Sequence, residues 1–159
     1  ESVPDLFITE VWDVMGECPQ HHFQILTKRP DRMAAMFREC QLRVLENVWL
    51  GTSVESDDVR DRVKHLASIA GATRFVSFEP LIGRINDINL SNVHWAIVGG
   101  ESGPRARRME PEWVDRLHEI CRRDDVAFFF KQWGGQNKKA AGRELHGRTY
   151  DEFPLELEA

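Results

Sequence analysis

The sequence contains no long hydrophobic run and few of the residues that form metal or disulfide sites. No apolar stretch approaches the roughly 18 residues that a membrane-spanning helix needs, and no signal peptide is recognisable at the start. Cys18, Cys40 and Cys121 are far apart in sequence and odd in number, and no CxxC or CxxxC motif occurs. We therefore expect reduced thiols in a cytoplasmic protein with no membrane partner and no metal site in this sequence.

Glycine-rich phosphate motifs are also missing. The segment VGGESG, residues 98–103, fits neither GxGxxG nor a phosphate loop that ends in Gly-Lys-Ser/Thr. Its glycines expose backbone N–H groups that can form a small anion nest, and a tight structural turn explains them equally well. The formal net charge of −5 argues against a protein whose whole surface binds nucleic acid, but it leaves room for a local basic patch.

A regular alternation of apolar strands and amphipathic helices is present. With 159 residues, 42% of them hydrophobic, the chain is expected to form a single domain, 1–159. Five segments read as strands: HFQILTKRP, NVWLGTSVE, RFVSFEPLIG, VHWAIVGGE and VAFFFKQWGG. Strands that alternate with helices pair in parallel through right-handed crossovers, so this order predicts an α/β fold.

The helices are predicted between these strands from apolar periodicity and end signals. We expect helices over 4–17, 31–45 and 109–124, and one from an N-cap at Ser56 to about residue 70. The segment 80–93 is predicted to be a loop with one turn. The end of the chain, 136–159, is predicted to be an extended polar tail.

Period-two alternation divides the strand residues between two faces of the sheet. One parity is nearly all apolar and fits against helices, whereas the other becomes polar near the carboxyl end of each strand. Ligand sites of parallel α/β folds lie at that end, although strand-end charges can also be ordinary solvated residues. We call the predicted site the polar rim; it comprises Lys28, Ser53, Glu55, Ser77, Glu79, Gly99, Gly100, Glu101, Arg105, Lys131 and Trp133.

Several chemical roles are open to this rim. Converging carboxylates can bind a divalent cation, orient a sugar hydroxyl or act as acid and base. Lys28 and Lys131 either neutralise those acids or hold a carboxylate or phosphate. Glu101 and Arg105 either pair with each other or clamp a group that resembles an amino acid. Trp133 either caps the core or stacks on a base.

A basic surface with aromatic residues is a second candidate, for nucleic acid. It would combine Trp133 and Tyr150 with the basic residues Arg105, Arg107, Arg108, Lys138, Lys139, Arg143 and Arg148.

Six motifs in order resemble the phage gene-product 37 / gene-product 68 family, which occurs in phages and bacteria and is itself similar to radical S-adenosylmethionine enzymes. The motifs are FQILTKRP, VWLGTSVE, RFVSFEPLIG, WAIVGGESGP, FFFKQWGG and GRTYDEFP, and they span nearly the whole chain. No function is assigned to that family.

The resemblance implies an incomplete (βα) barrel of about five parallel strands, similar to part of a TIM or radical-enzyme barrel. It also implies a preceding segment whose three-cysteine motif holds a [4Fe–4S] cluster, so this chain would be the C-terminal part of a longer barrel and inactive alone. ESVPDLF would then begin just after the second strand. Radical S-adenosylmethionine enzymes often have a Gly-Gly-Glu that contacts the methionine amino group of the cofactor, usually after the second strand. Here it would follow about the sixth strand, so that role is not carried over to Glu101.

The resulting expectation is that the polar rim binds S-adenosylmethionine or a similar charged small molecule. Two alternatives are a metal-assisted hydrolase that uses Glu55, Glu79 and Glu101, and a non-enzymatic phage module that binds nucleic acid or a partner protein. The expected partners are the chain's own preceding segment and a second copy, because five strands leave open sheet edges.

Overall fold

The structure is a computed structural model, and it describes residues 3–137 and 141–154. Its helices and strands follow the predicted alternation closely. In chain order they are α1 (Asp5–Glu17), β1 (Phe23–Thr27), α2 (Pro30–Glu39), β2 (Val48–Ser53), α3 (Arg62–Ala67), β3 (Thr73–Phe78), β4 (Trp95–Gly99), α4 (Pro111–Asp124) and β5 (Ala127–Gln132). No helix among the described residues is both long and apolar enough to cross a membrane.

The five strands form one parallel sheet in the order β1-β2-β3-β4-β5. The predicted α/β fold with flanking helices is therefore confirmed. Each strand lies beside its neighbour in sequence, as in (βα) barrels. No pairing joins β1 to β5 within the described ranges, so the sheet is not closed into a barrel there.

The two faces of the sheet differ in the way that the alternation predicts. The face toward the helices holds the main core, which includes Leu50, Val76 and Phe128. The opposite face holds an aromatic cluster of Trp49, Phe75 and Trp95, packed against Ile97 and Phe129. The aromatic rings occupy the amino-terminal part of that face, which leaves the polar residues of the strands at its carboxyl edge.

The predicted helix over 56–70 is wrong in its first half. Residues Asp57–Val59 form a single 3-10 turn, and α3 begins only at Arg62. Ser56 makes no side-chain capping bond. Asp57 instead accepts hydrogen bonds from the backbone and side-chain amides of Asn86, at 3.1 and 2.5 Å. This contact ties the turn to the long β3–β4 connection, which is a loop as predicted.

The predicted extended polar tail is partly wrong. Leu145 and Tyr150 are buried in the main core. The Phe130 N–H donates to the Tyr150 carbonyl at 3.0 Å, and Phe129 and Asp151 form an antiparallel bridge. This stretch therefore lies along the outer edge of β5, and β1 is the sheet edge that stays unpaired in the described part of the chain. Sequence reasoning missed it because one tyrosine and one leucine in a polar stretch carry no periodicity.

Candidate functional site

The polar rim lies where β2, β3 and β4 end. Ser53 and Ser77 are paired in the register of β2 and β3, and both are buried. Backbone hydrogen bonds continue beyond the strands: Val54 N–H to the Ser77 carbonyl at 2.9 Å, and Ile82 N–H to the Glu55 carbonyl at 3.0 Å. The backbone that carries the rim is therefore held by a continuation of the hydrogen bonding of the sheet.

Glu55 follows β2 and has two cationic neighbours. Its side chain is 11% exposed, its Oε2 lies 2.9 Å from the Arg62 guanidinium, and its Oε1 pairs with the Lys28 ammonium. Arg62 also donates to the Ser53 carbonyl at 2.9 Å. Burial raises the pKa of Glu55, but Lys28 and Arg62 outweigh it, so the net pKa is lowered. Glu55 is therefore a carboxylate that stays ionised at the end of β2.

Glu79 follows β3 and lies over the end of β4. Its Oε2 accepts from the Lys131 ammonium at 2.9 Å, and its Oε1 lies 3.4 Å from the Gln132 amide nitrogen. A Cβ atom on Gly99 would lie 3.2 Å from the Glu79 carboxyl, so a side chain there would crowd it. The glycine at the end of β4 thus makes room for the carboxylate of the neighbouring strand.

Glu101 follows β4 and is held by Arg107. The Arg107 side chain donates to both carboxylate oxygens at 2.8 Å, and its backbone N–H donates to Oε2 at 2.9 Å. These hydrogen bonds lower the pKa of Glu101 to about 2. The alternative in which Glu101 pairs with Arg105 is wrong: Arg105 is exposed and makes no ion pair among the residues that the structure describes.

The glycines of VGGESG serve a close approach of two loops. A Cβ on Gly100 would lie 2.0 Å from the Trp133 carbonyl oxygen, and one on Gly134 would lie 2.3 Å from that of Glu101. The Gly135 N–H donates to the Glu101 carbonyl at 2.6 Å, and Ser102 bridges to Gly135. Of the two alternatives for VGGESG, an anion nest or a tight structural turn, Gly100 therefore fits the tight turn.

A register shift at the end of β5 moves one predicted member out of the rim. Val98 pairs with Phe130, but the next residue, Gly99, pairs with Gln132, so Lys131 is the extra residue of a bulge. Gln132 therefore joins the rim. Trp133 points instead to the main core, where its ring packs 4.9 Å from that of Phe130. A core position is the alternative that holds for Trp133.

Two rim residues escaped sequence reasoning. Arg62 was assigned to the middle of a helix, and the interrupted helix is what lets it reach Glu55. Strict alternation places Gln132 on the opposite face from Lys131, and it does not anticipate a bulge. The Gly-Gly pair after Trp133 is the signal that could have indicated an irregular strand end.

The candidate basic surface is largely neutralised. Arg107 pairs with Glu101, Arg108 lies 3.6 Å from Glu110, and Arg143 pairs with Asp151. Arg148 lies over the buried ring of Tyr150, which is thereby closed to a nucleic acid base. Lys138 and Lys139 lie outside the described residues.

The rim carboxylates do not gather into a metal site. Glu55, Glu79 and Glu101 each have their own basic partner. Over residues 3–137 and 141–154 no group of three or more His, Cys, Asp or Glu is placed to hold a metal ion. What the rim offers is a row of acid–base pairs at the ends of three adjacent strands.

The three cysteines are separated in space as in sequence. Cys18 and Cys40 follow the ends of α1 and α2, whereas Cys121 is buried in α4. Burial raises the pKa of the Cys121 thiol to about 12. Iron–sulfur clusters are bound by thiolates, so these cysteines do not fit a [4Fe–4S] cluster.

Comparison with known proteins gives one family. Neither a curated protein nor a solved structure shows significant similarity to the chain. A family profile described as a protein of unknown function, DUF5131, matches residues 1–154. Because this match covers nearly the entire sequence, the chain belongs to the DUF5131 family.

Proposed function

We propose that the polar rim binds a small molecule that carries both an ammonium and a carboxylate group, and that S-adenosylmethionine is this ligand. The observation that carries the proposal is the row of acid–base pairs at the carboxyl ends of β2, β3 and β4. The pairs present carboxylates and cations side by side, which are the groups that recognise an amino-acid moiety. The sulfonium of S-adenosylmethionine carries a further positive charge, which the rim carboxylates would also attract.

The proposal assigns complementary roles to the acids and the bases of the row. Glu79 would accept hydrogen bonds from the ligand ammonium, since its carboxylate is 22% exposed and held over Gly99. Lys131 and Lys28, with side chains 52% and 63% exposed, are free enough to turn from their acidic partners toward a ligand carboxylate. Arg105 is a further exposed cation in the loop that follows β4.

The radical chemistry implied by the resemblance to the phage gene-product 37 / gene-product 68 family needs a [4Fe–4S] cluster. The cysteines described above do not fit one, so we propose that the cluster ligands come from a preceding segment. This chain then contributes ligand binding and no redox step. Incubation with iron and sulfide is expected to give no cluster absorbance with this chain alone.

The experiment is calorimetric titration of the chain with S-adenosylmethionine, with methionine as a second ligand. We expect Glu79→Gln and Lys131→Met to abolish measurable binding while thermal unfolding remains cooperative. Lys64→Met is the matched control, because Lys64 forms an exposed pair with Asp61 that lies on α3 and outside the rim. Unchanged titration curves for both rim variants would contradict the proposal.

Assays of the same protein distinguish the two alternative functions, a metal-assisted hydrolase and a nucleic-acid-binding module. Hydrolysis that depends on added Mg²⁺ or Mn²⁺ would favour the metal-assisted hydrolase. Salt-sensitive binding of DNA that is lost when Arg107 and Arg108 are both changed to alanine would favour the nucleic-acid module.

A further inference from the structure

Helix α1 has an apolar face that is wider than the surface it buries. Trp12 and Met15 are buried against the core, with Ile8 beside them on the same face. The adjacent stripe is solvent-exposed; we call it the outer stripe, and its members are Phe7 (54% exposed), Val11 (39%) and Val14 (57%). Large apolar side chains exposed side by side mark interaction surfaces more often than isolated ones do.

The helix itself is fixed to the rest of the domain. The Trp12 indole N–H donates to the Arg43 carbonyl at 3.0 Å, and its ring packs against Phe37. The Asn47 side-chain amide donates to the carbonyls of Met15 and Cys18 at 3.0 and 3.1 Å. The outer stripe is therefore exposed on a helix whose second half is fixed to the domain by hydrogen bonds and ring packing.

An apolar groove and a free strand edge adjoin this stripe. The groove has a volume of about 390 Å³ and runs between α1 and α2 over β1, with Phe7 and Val11 on one wall and Met33 on the other. On β1, Leu26 is 50% exposed. The opposite sheet edge, at β5, is covered by the chain's own residues around Tyr150. Unpartnered apolar surface is thus concentrated on the α1–β1 side.

The charges on α1 are all of one sign. The helix contains Asp5, Glu10, Asp13 and Glu17, and no lysine or arginine. Asp5 pairs with Arg32 at 2.6 Å, whereas the other three acids are exposed and form no ion pair in the part of the chain that the structure describes. Glu10, Asp13 and Glu17 are three and four residues apart, so they lie together along the edge of the outer stripe that is away from the buried Trp12 and Met15.

This charge pattern decides between occupants. A symmetric dimer through α1 would bring two acidic borders together, and like charges at an interface are repulsive. We propose that the outer stripe docks an amphipathic helix of a partner protein whose apolar stripe is flanked by lysine or arginine. The apolar residues of that helix would cover Phe7, Val11 and Val14, and its basic residues would lie beside Glu10, Asp13 and Glu17.

The test uses two synthetic amphipathic helical peptides that share a leucine stripe and differ in their flanks, lysine in one and glutamate in the other. Fluorescence anisotropy with the full chain is expected to show binding of the lysine peptide, weakened by salt, and no binding of the glutamate peptide. The double variant Phe7→Gln, Val14→Gln is expected to lose binding; both side chains are more than half exposed, so the fold should tolerate the change.

The acidic border is tested separately. The triple variant Glu10→Gln, Asp13→Asn, Glu17→Gln is expected to lower the affinity for the lysine peptide about tenfold. This is the effect of losing three exposed ion pairs. Asp58→Asn, the loss of an exposed acid in the turn between β2 and α3, is the matched control and should leave the affinity unchanged. Failure of the lysine peptide to bind, equal binding of both peptides, or a dimer in light scattering that Phe7→Gln, Val14→Gln dissociates would overturn the proposal.

Discussion

The Lys131 ammonium lies 2.9 Å from the Glu79 carboxylate, and this pair joins β5 to the end of β3 across the intervening strand β4. The contact depends on two local features. Gly99 leaves space over the end of β4, and the bulge at Lys131 turns both Lys131 and Gln132 toward Glu79. A pair that crosses a strand in this way fixes the separation of rim groups that come from distant parts of the sequence.

We expect the Glu79–Lys131 pair to contribute little to stability. Lys131 is half exposed, and ion pairs at such positions contribute about 1 kcal/mol or less. Lys131→Met should therefore lower the free energy of unfolding by no more than about 1 kcal/mol, measured by urea denaturation. Lys64→Met provides the comparison at an exposed pair. A much larger loss would mean that the pair holds the sheet together, and would weaken the case that it is kept for ligand binding.

Gly100 is expected to tolerate no side chain. A Cβ atom added there would collide with backbone atoms, 2.0 Å from the Trp133 oxygen and 2.7 Å from the Trp133 carbonyl carbon. Gly100→Ala should force the two loops apart and destabilise the protein by about 2 kcal/mol, within the usual range for overpacking. Thermal unfolding monitored by circular dichroism measures this.

Gly16→Ala is the control for that experiment. Gly16 lies in the last turn of α1, where the nearest atom to an added Cβ is the end of the flexible Arg43 side chain at 3.3 Å. Alanine in a helix is favoured over glycine by about 0.5–1 kcal/mol. Equal stability changes of the same sign in the two variants would show that the close approach at Gly100 carries no cost.

The sequence was sufficient to predict the sheet and most of the rim, and particular residues show why it was insufficient for the rest. Periodicity identifies which side chains share a face, so Glu55, Glu79 and Glu101 were found at the correct strand ends. It does not identify partners, because Arg62 reaches Glu55 only through an interrupted helix. A bulge likewise changes the side on which Gln132 lies without leaving a mark on the pattern.

Glu101 is expected to stay ionised to unusually low pH. Its pKa is lowered from an ordinary value of 4.5 to about 2 by Arg107. The folded state therefore binds this proton more weakly than the unfolded state does. The contribution of the pair is fully present above pH 4.5 and is lost as the pH falls through about 2.

Carboxyl-carbon NMR titration measures this pKa directly. In Arg107→Met we expect the pKa of Glu101 to shift back toward 4.5, since the side-chain hydrogen bonds that lower it most are gone and only the backbone N–H of residue 107 remains. Arg105→Met is the matched control, because Arg105 makes no ion pair in the described chain, and it should leave the Glu101 pKa low. Titration near 4.5 in the unaltered protein would contradict the pairing.

Tyr150 is expected to hold the end of the chain against β5. Its ring is buried and packs against Phe128 and His118, with centroid separations of 5.5 and 4.9 Å. Tyr150→Ala removes that packing and should cost about 3 kcal/mol, as for other large-to-small aromatic changes in cores. The Phe130 N–H, which donates to the Tyr150 carbonyl, should lose its protection from hydrogen exchange at the same time.

Two further variants distinguish the contribution of the Tyr150 ring to stability from those of its hydroxyl group and of Arg148. Tyr150→Phe keeps the packing and should be nearly neutral. Arg148→Met removes a cation 4.3 Å from the ring centroid on its solvent side and should cost about 1 kcal/mol or less. If Tyr150→Ala left both the free energy of unfolding and the exchange of the Phe130 amide unchanged, this segment would not close the edge of β5. In that case β1 would no longer be the one unpaired sheet edge among the described residues.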